Sequence, residues 1–219
     1  MGADNMTLTR DVLLDPSKSA LLFIDVQNFC AHRQGGEFRD YSEAEFQQKL
    51  GWFFSELENR VIANMQSIQS ACRKAGVEVM YTCIESLTQD GRDRSLDYKI
   101  TGFHVPKGSW DGQVIDQIAP QGDEIVLPKT SSSVFISTHI DYILRNLGVK
   151  QLVISGLVTD QCVESAIRDA CDLGYLVTQV TDACLTYSQQ RHDHSLNTIK
   201  GYCRQVTTET LVRELEGAR

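Results

Sequence analysis

Short apolar runs alternate with helical-period stretches along the whole chain. Ala20-Leu21-Leu22-Phe23-Ile24 is apolar throughout and ends at Asp25, which predicts a strand buried on both faces with a carboxylate at its C-terminal end. Residues 26–38 read as a loop closed by Gly35-Gly36. Ser42 and Glu45 match a capping box. Leu57, Val61, Ile62, Met65 and Ile68 then form the apolar stripe of a helix that runs to Ala75, with a break expected near Gly51 and Gly76 as C-cap. Further strands are predicted over 77–84, over 124–127 (ending at Pro128-Lys129), over 151–155, over 175–180 with Asp182 at the end, and weakly over 205–208. Helical patterns fill the intervals. One covers 114–118, and one carries Ile140, Ile143, Leu144 and Leu147 behind a Ser137-Thr138 cap. Others follow Cys162 up to Gly174 and cover 189–200 and 211–215. The polar stretch 85–110 is long for a connection, and such loops are usually functional.

This alternation predicts a single α/β domain over residues 18–219 after an extended lead-in at 1–17. Its sheet is expected to be doubly wound, mostly parallel and six-stranded, with helices on both faces. No GxGxxG follows the first strand and no GxxxxGK[ST] occurs, so nucleotide binding has little support. The net charge of −8 gives no electrostatic footprint for nucleic acid or an anionic membrane. No apolar run approaches the ~20 residues of a membrane span. The first ten residues lack the order of a signal peptide, and Gly2 followed by Asp4 is a poor match to a myristoylation start. Seven scattered cysteines without a CxxC pair argue against a disulfide framework and a zinc cluster. They point to a reducing, cytoplasmic setting.

Cys162 is expected at a strand-to-helix turn behind Leu152-Val153-Ile154-Ser155-Gly156. Unpaired N–H groups and the helix dipole there favour thiolate, and the same N–H groups suit an oxyanion. For an isolated cysteine, a buried structural role is the simpler reading. Position favours function, because ligands bind at strand ends in open α/β sheets. Asp25, Lys129 and Cys162 each sit at a predicted strand end, and parallel strands bring such ends to one edge. The three together can do nucleophilic chemistry. Cys162 attacks a carbonyl carbon, Asp25 takes the thiol proton and returns it to a leaving nitrogen, and Lys129 holds the charges in register. Singly, each has a plain alternative: a turn cap, a surface lysine, a core thiol.

Phe23-Ile24-Asp25-Val26-Gln27-Asn28, Leu127-Pro128-Lys129 and Gly156-Leu157-Val158-Thr159-Asp160-Gln161-Cys162-Val163 resemble the three signatures of the isochorismatase-like cysteine hydrolases, and the resemblance runs from about residue 18 to residue 208. It implies an Asp25-Lys129-Cys162 triad, a cis peptide at Leu157–Val158, an oxyanion hole formed by the amides of Val158 and Cys162, no cofactor, and a homodimer or homotetramer. The nicotinamidase branch carries an Asp-x-His metal motif that Cys30-Ala31-His32 does not match. His32, His104, His139, His192 and His194 read as ordinary loop or surface residues, and no metal is expected. True isochorismatase lacks a cysteine at this position.

Pro106-Lys107-Gly108-Ser109-Trp110-Asp111, Cys162-Val163-Glu164-Ser165 and Arg168-Asp169 resemble the ureidoacrylate amidohydrolase and biuret-type ureide hydrolases. That branch implies cleavage of the C–N bond of a small ureido or carbamoyl compound through a thioester or thiocarbamate. The stretch Glu85 to Ser95 departs from the branch, so the substrate stays open. Candidate substrate contacts are Gln27, Asn28, Phe29, Glu85, Arg92, Lys107 and Trp110, with a basic residue suited to a substrate carboxylate. The other readings are a simple carboxamide hydrolase, an idle family member serving as a scaffold, and a redox-sensing thiol.

Overall fold

The computed structural model describes residues 8–217; the Gly2 pattern, with the rest of residues 1–7, and the last two residues lie outside it. Six strands, β1 (Ser19–Ile24), β2 (Glu78–Ile84), β3 (Ile125–Lys129), β4 (Gln151–Leu157), β5 (Leu176–Leu185) and β6 (Arg204–Val206), form one sheet in the order β3-β2-β1-β4-β5-β6. Every neighbouring pair is parallel. β1 is central and every one of its residues is buried, as its unbroken apolar run requires. Alternate side chains enter opposite cores. Leu21 and Phe23 pack with Val79, Tyr81 and Val153 on one face. Ala20, Leu22 and Ile24 pack with Met80, Leu152 and Ile154 on the other. Helices α2 (Glu43–Glu56), α3 (Ile62–Ala75) and α9 (Thr208–Gly217) cover the first face, and α6 (Ile140–Asn146), α7 (Glu164–Asp172) and α8 (Gln189–Ile199) contribute to the second. Short helices α1 (Asn28–Ala31), α4 (Leu96–Thr101) and α5 (Val134–Ser137) lie at the ends of strands. The direction of winding reverses between β1 and β4, and the ligand crevice of such a sheet opens there.

The structure corrects several expected boundaries. The long helix is not broken at Gly51, where an added Cβ would meet only the tip of Gln47. It changes register instead at a π turn, Leu57–Val61, across which Leu57 and Val61 both stay fully buried. Part of 85–110 is α4, capped by Ser95, whose hydroxyl accepts from the Tyr98 N–H. Lys129 is the last residue of β3 rather than one beyond it. Pro128 is tolerated there because β3 is an edge strand. β5 continues past Asp182 to Leu185, and the Asp182 carboxylate caps the start of α9 by accepting from Thr208 N at 2.7 Å.

β1 and β4 approach closely at their C-terminal ends. Gly156 has φ 138°, and a Cβ there would lie 2.2 Å from the Ile24 carbonyl oxygen and 2.6 Å from its nitrogen. Backbone cannot yield as a flexible side chain can, so only glycine fits. The next peptide, Leu157–Val158, is cis. Gly156→Ala is expected to destabilise the fold by roughly 3 kcal/mol or more, read as a lower urea midpoint with an unchanged slope. A midpoint equal to that of the parent protein would show that the two strands can separate without cost.

Candidate active site

The site begins where β1 ends. Asp25 adopts φ 54°, a left-handed turn that Asp tolerates better than most residues. Its N–H still pairs with the Thr82 carbonyl at 2.9 Å. The carboxylate is buried, accepts from Thr82 Oγ1 at 3.3 Å and lies 2.8 Å from Lys129 Nζ. That last contact is an ion pair lying off the hydrogen-bond axis: among the described residues Oδ2 has no aligned donor. Lys129 is completely buried. Its ammonium donates to Ser131 O at 2.9 Å, Tyr98 Oη at 3.0 Å and Cys162 Sγ at 3.4 Å, using all three donors of the group. Tyr98 Oη also stands 3.9 Å from Cys162 Sγ. Three strand ends and α4 thus bring Asp25, Lys129, Cys162 and Tyr98 into one buried cluster.

Burial and charge set the protonation states. Burial works against the Lys129 cation, but Asp25 and Cys162 beside it outweigh that and hold its pKa well above the ordinary value. Burial lifts the Asp25 carboxyl above the usual carboxylate range despite the pull of Lys129. Burial also pushes the Cys162 thiol up to about 12, with Lys129 opposing and Asp25 reinforcing. The resting thiol therefore keeps its proton, against the expectation of a helix-stabilised thiolate. The reason is local: residues Thr159–Val163 form a π turn, and α7 begins only at Glu164. Cys162 stands before the helix and is only 7% exposed.

Two spaces meet at Cys162. An inner recess with about 20 Å³ of room is bordered by Asp25, Glu37, Val158 and Tyr187, and an outer cleft of about 420 Å³ by Asp97, Tyr98, Thr101, Ser132 and Ser165. Phe103, Gln161 and Cys162 border both. A groove of about 500 Å³ between α3 and α9 holds none of these groups.

The expected substrate contacts do not border either space, and each has a physical reason. The Gln27 amide is spent on backbone: Nε2 donates to Ile84 O at 2.8 Å and Asp111 O at 2.9 Å, and Oε1 accepts from Ile84 N at 2.6 Å. Asn28 Nδ2 donates to Trp110 O at 3.0 Å, and Glu85 Oε1 accepts from Gly108 N at 2.6 Å. Phe29 packs edge-on to Phe103, 5.5 Å between centroids, behind the wall. Arg92 is exposed beside Asp90, Lys107 is exposed, and Trp110 is half-exposed against the His32 ring. These residues frame the site; they do not line it. His192, read as a loop or surface residue, is buried with Nδ1 2.9 Å from Thr159 Oγ1. Among the described residues no group of three or more His, Cys, Asp or Glu side chains is placed to hold a metal ion.

Sequence reasoning missed Tyr98, Glu37 and Tyr187. The Ser95-x-x-Tyr98 cap was a usable signal for the first. The Glu37–Tyr187 hydrogen bond spans 150 positions and left no local pattern.

The isochorismatase domain matches residues 19–210 of the chain. The chain belongs to the isochorismatase family. A cysteine hydrolase from Pseudomonas syringae pv. phaseolicola superposes with a TM-score of 0.77 at 24% identity, covering 95% of this chain and 97% of that one. An isochorismatase family protein from Desulfovibrio vulgaris gives 0.71 at 22%, covering 91% and 98%. An N-carbamoylsarcosine amidase from Thermoplasma acidophilum gives 0.65 at 24%, covering 88% and 97%. At these identities the likenesses speak for the fold. The family's sheet, with its three strand ends at one edge, is the frame on which Asp25, Lys129 and Cys162 meet.

Lys129→Met tests the ion pair. Removing the cation leaves Asp25 buried and uncompensated, a change worth about 3–5 kcal/mol at neutral pH. The variant's Asp25 pKa rises further above its unfolded value near 3.8, so the folded state binds the extra proton. Stability is then full below that value and falls as pH rises toward the folded pKa. Denaturation midpoints from acid to neutral pH should decline more steeply in the variant than in the parent; parallel curves would sink this account of the pair.

Proposed function

We infer that the protein is a cysteine-dependent amidohydrolase that cleaves the C–N bond of a small ureido or carbamoyl compound and releases ammonia or an amine. The observation that carries this reading is the buried cluster itself, with Lys129 Nζ 2.8 Å from Asp25 and 3.4 Å from Cys162 Sγ at the meeting point of two cavities. A buried cation, a carboxylate with raised proton affinity and a thiol have little value as core packing, and nucleophilic catalysis uses all three.

In the proposed reaction Cys162 Sγ adds to the carbonyl carbon while its proton passes to Asp25. The raised pKa of Asp25 suits a base that must also act as an acid near neutral pH. Lys129, cationic throughout, stabilises the developing thiolate and fixes the Asp25 carboxylate. Tyr98 supports the sulfur from the other side. The tetrahedral oxyanion is assigned to the amides of Val158 and Cys162. The C–N bond then breaks, and the leaving nitrogen takes the proton from Asp25. Water, deprotonated by Asp25, attacks the thioester or thiocarbamate and frees the product and the thiol. The inner recess has room for about one water-sized group, which suits an unsubstituted –NH2 end, with the rest of the substrate in the outer cleft.

The test is ammonia release from ureidoacrylate, biuret, triuret, N-carbamoyl amino acids and nicotinamide, with Cys162→Ala as control. Release from one or more of the carbamoyl compounds and not from nicotinamide, reduced by on the order of 10³-fold or more in the variant, is the expected result. Release from nicotinamide alone would move the protein to the carboxamide reading. Release that survives Cys162→Ala would remove the cysteine from the mechanism.

A further inference from the structure

Charge around the two spaces is one-sided. The ionisable side chains bordering them are Asp25, Cys30, Glu37, Asp97, Tyr98, Cys162 and Tyr187, and no arginine or lysine borders either. Lys129 lies behind this lining with its three donors already placed. Arg92 and Lys107, the basic residues expected to hold a substrate carboxylate, are on the surface.

Glu37 is the acidic group here that the reaction above leaves unused. It comes from the single turn Gly36–Phe38, held in place by Gly36 N donating to Asp111 Oδ1 at 3.1 Å. Tyr187 Oη, from just beyond β5, donates to Glu37 Oε1. Among the described residues Oε2 accepts no hydrogen bond, and the half-buried carboxylate borders both the recess at Cys162 and the hollow on its other side. Across that recess Asp25 Oδ2 is ion-paired with Lys129 at 2.8 Å, so among the described residues Glu37 is the acidic group there without a cation. It calls for an N–H donor and opposes an anion, whose desolvation would go uncompensated.

We propose that Glu37 is a specificity-determining residue of this site: it accepts N–H from the substrate and restricts the site to uncharged or cationic amides and ureides, excluding those that place a carboxylate beside the reacting carbonyl. This rests on the hydrolase reading for its substrate class. The charge selectivity itself stands on the cavity.

The groups facing Glu37 are Tyr187, Asp25 and Cys30 on the recess side, with Lys49 and Tyr41 bordering a second hollow on its other side; Arg191 lies over the outer part of the Tyr187 ring and is paired with Asp160. Burial raises the Glu37 carboxyl to about 7, the Tyr187 hydrogen bond opposing and Asp25 adding to it. Selectivity against anions should therefore strengthen as pH rises through about 7.

The experiment compares two alkylating probes of equal size and leaving group, neutral iodoacetamide and anionic iodoacetate. Rates at Cys162 are read by peptide mass spectrometry and divided by the rates with N-acetylcysteine. The parent protein should favour the amide by about tenfold or more. Glu37→Gln should bring the ratio toward one and abolish its rise between about pH 6 and about pH 8. Tyr187→Phe keeps the Glu37 carboxyl but removes the hydrogen bond that lowers its pKa, so the selectivity should persist with its rise displaced to higher pH, which separates charge from damage to the fold. No preference in the parent, or a preference unchanged in Glu37→Gln, overturns the proposal. Neither outcome depends on turnover. Charge-selective labelling without ammonia release from any carbamoyl compound would refute the hydrolase reading alone, and ammonia release without charge selectivity would refute this one alone.

Discussion

A lysine with no solvent exposure is the constraint on which this molecule depends. An ammonium taken wholly out of water costs several kcal/mol unless charge and hydrogen bonds replace the lost hydration. Lys129 receives one carboxylate, one carbonyl, one phenol and one thiol. Each partner comes from a different part of the chain: the end of β1, the loop after β3, α4, and the turn after β4. The partners can converge only if the ends of β1, β2, β3 and β4 stay in register, and the parallel pairing does that. The tight contact of Gly156 on Ile24 serves the same end, because it sets the distance between the strand that carries Asp25 and the strand that leads to Cys162.

The segments after β1 and β2 form a frame around that cluster. Their polar residues look like substrate ligands when the chain is read linearly, yet that polarity is largely used within the protein. Gln27 joins the end of β2 to the turn at Asp111, Asn28 holds Trp110, and Glu85 holds Gly108. These bonds satisfy backbone groups of a long connection lying near the sheet edge, where unpaired amides would be costly. The start of α4 is tied beside the end of β3 by Ser95 N donating to Thr130 O at 2.9 Å, which holds the Tyr98 hydroxyl beside Lys129 and Cys162.

The physics explains what could be read in advance. β1 and β4 were legible because strands buried on both faces must be apolar along their whole length, and the polar residue that ends each run marks the sheet edge. Asp25 was legible for that reason, whereas Lys129 ends the edge strand β3 and Cys162 lies in the turn beyond β4, and both were read with the help of the motifs around them. Register inside helices was not: the π turn at Leu57–Val61 has ordinary helix-forming residues and follows from how Leu57 and Val61 meet the core. Nor could the far end of β5 be seen, since Thr181 and Asp182 break the apolar run while the backbone continues beside β4. Arg92 and Lys107 are exposed and border neither space, since polarity in a loop does not say whether a side chain points inward or outward. Glu37 was invisible because its partner Tyr187 lies at the far end of the sheet sequence.

Burial sets the character of the candidate site in two opposed ways. It raises the proton affinity of the Cys162 thiol, which makes the resting sulfur a poor nucleophile toward bulk electrophiles. It also raises the proton affinity of Asp25, which makes that carboxylate a better acceptor for the thiol proton than an exposed aspartate would be. Raising the proton affinity of Asp25 narrows the gap between acceptor and donor, and raising that of Cys162 widens it. Lys129 then favours the state in which the charge sits on sulfur, 3.4 Å away. A thiol in this setting gains its reactivity when a carbonyl enters and attack accompanies proton transfer. The same low-dielectric wall that couples the two steps also magnifies the field of Glu37 on whatever occupies the recess. The proposed reactivity and the proposed charge selectivity thus share one physical origin, the exclusion of water around a single compensated cation.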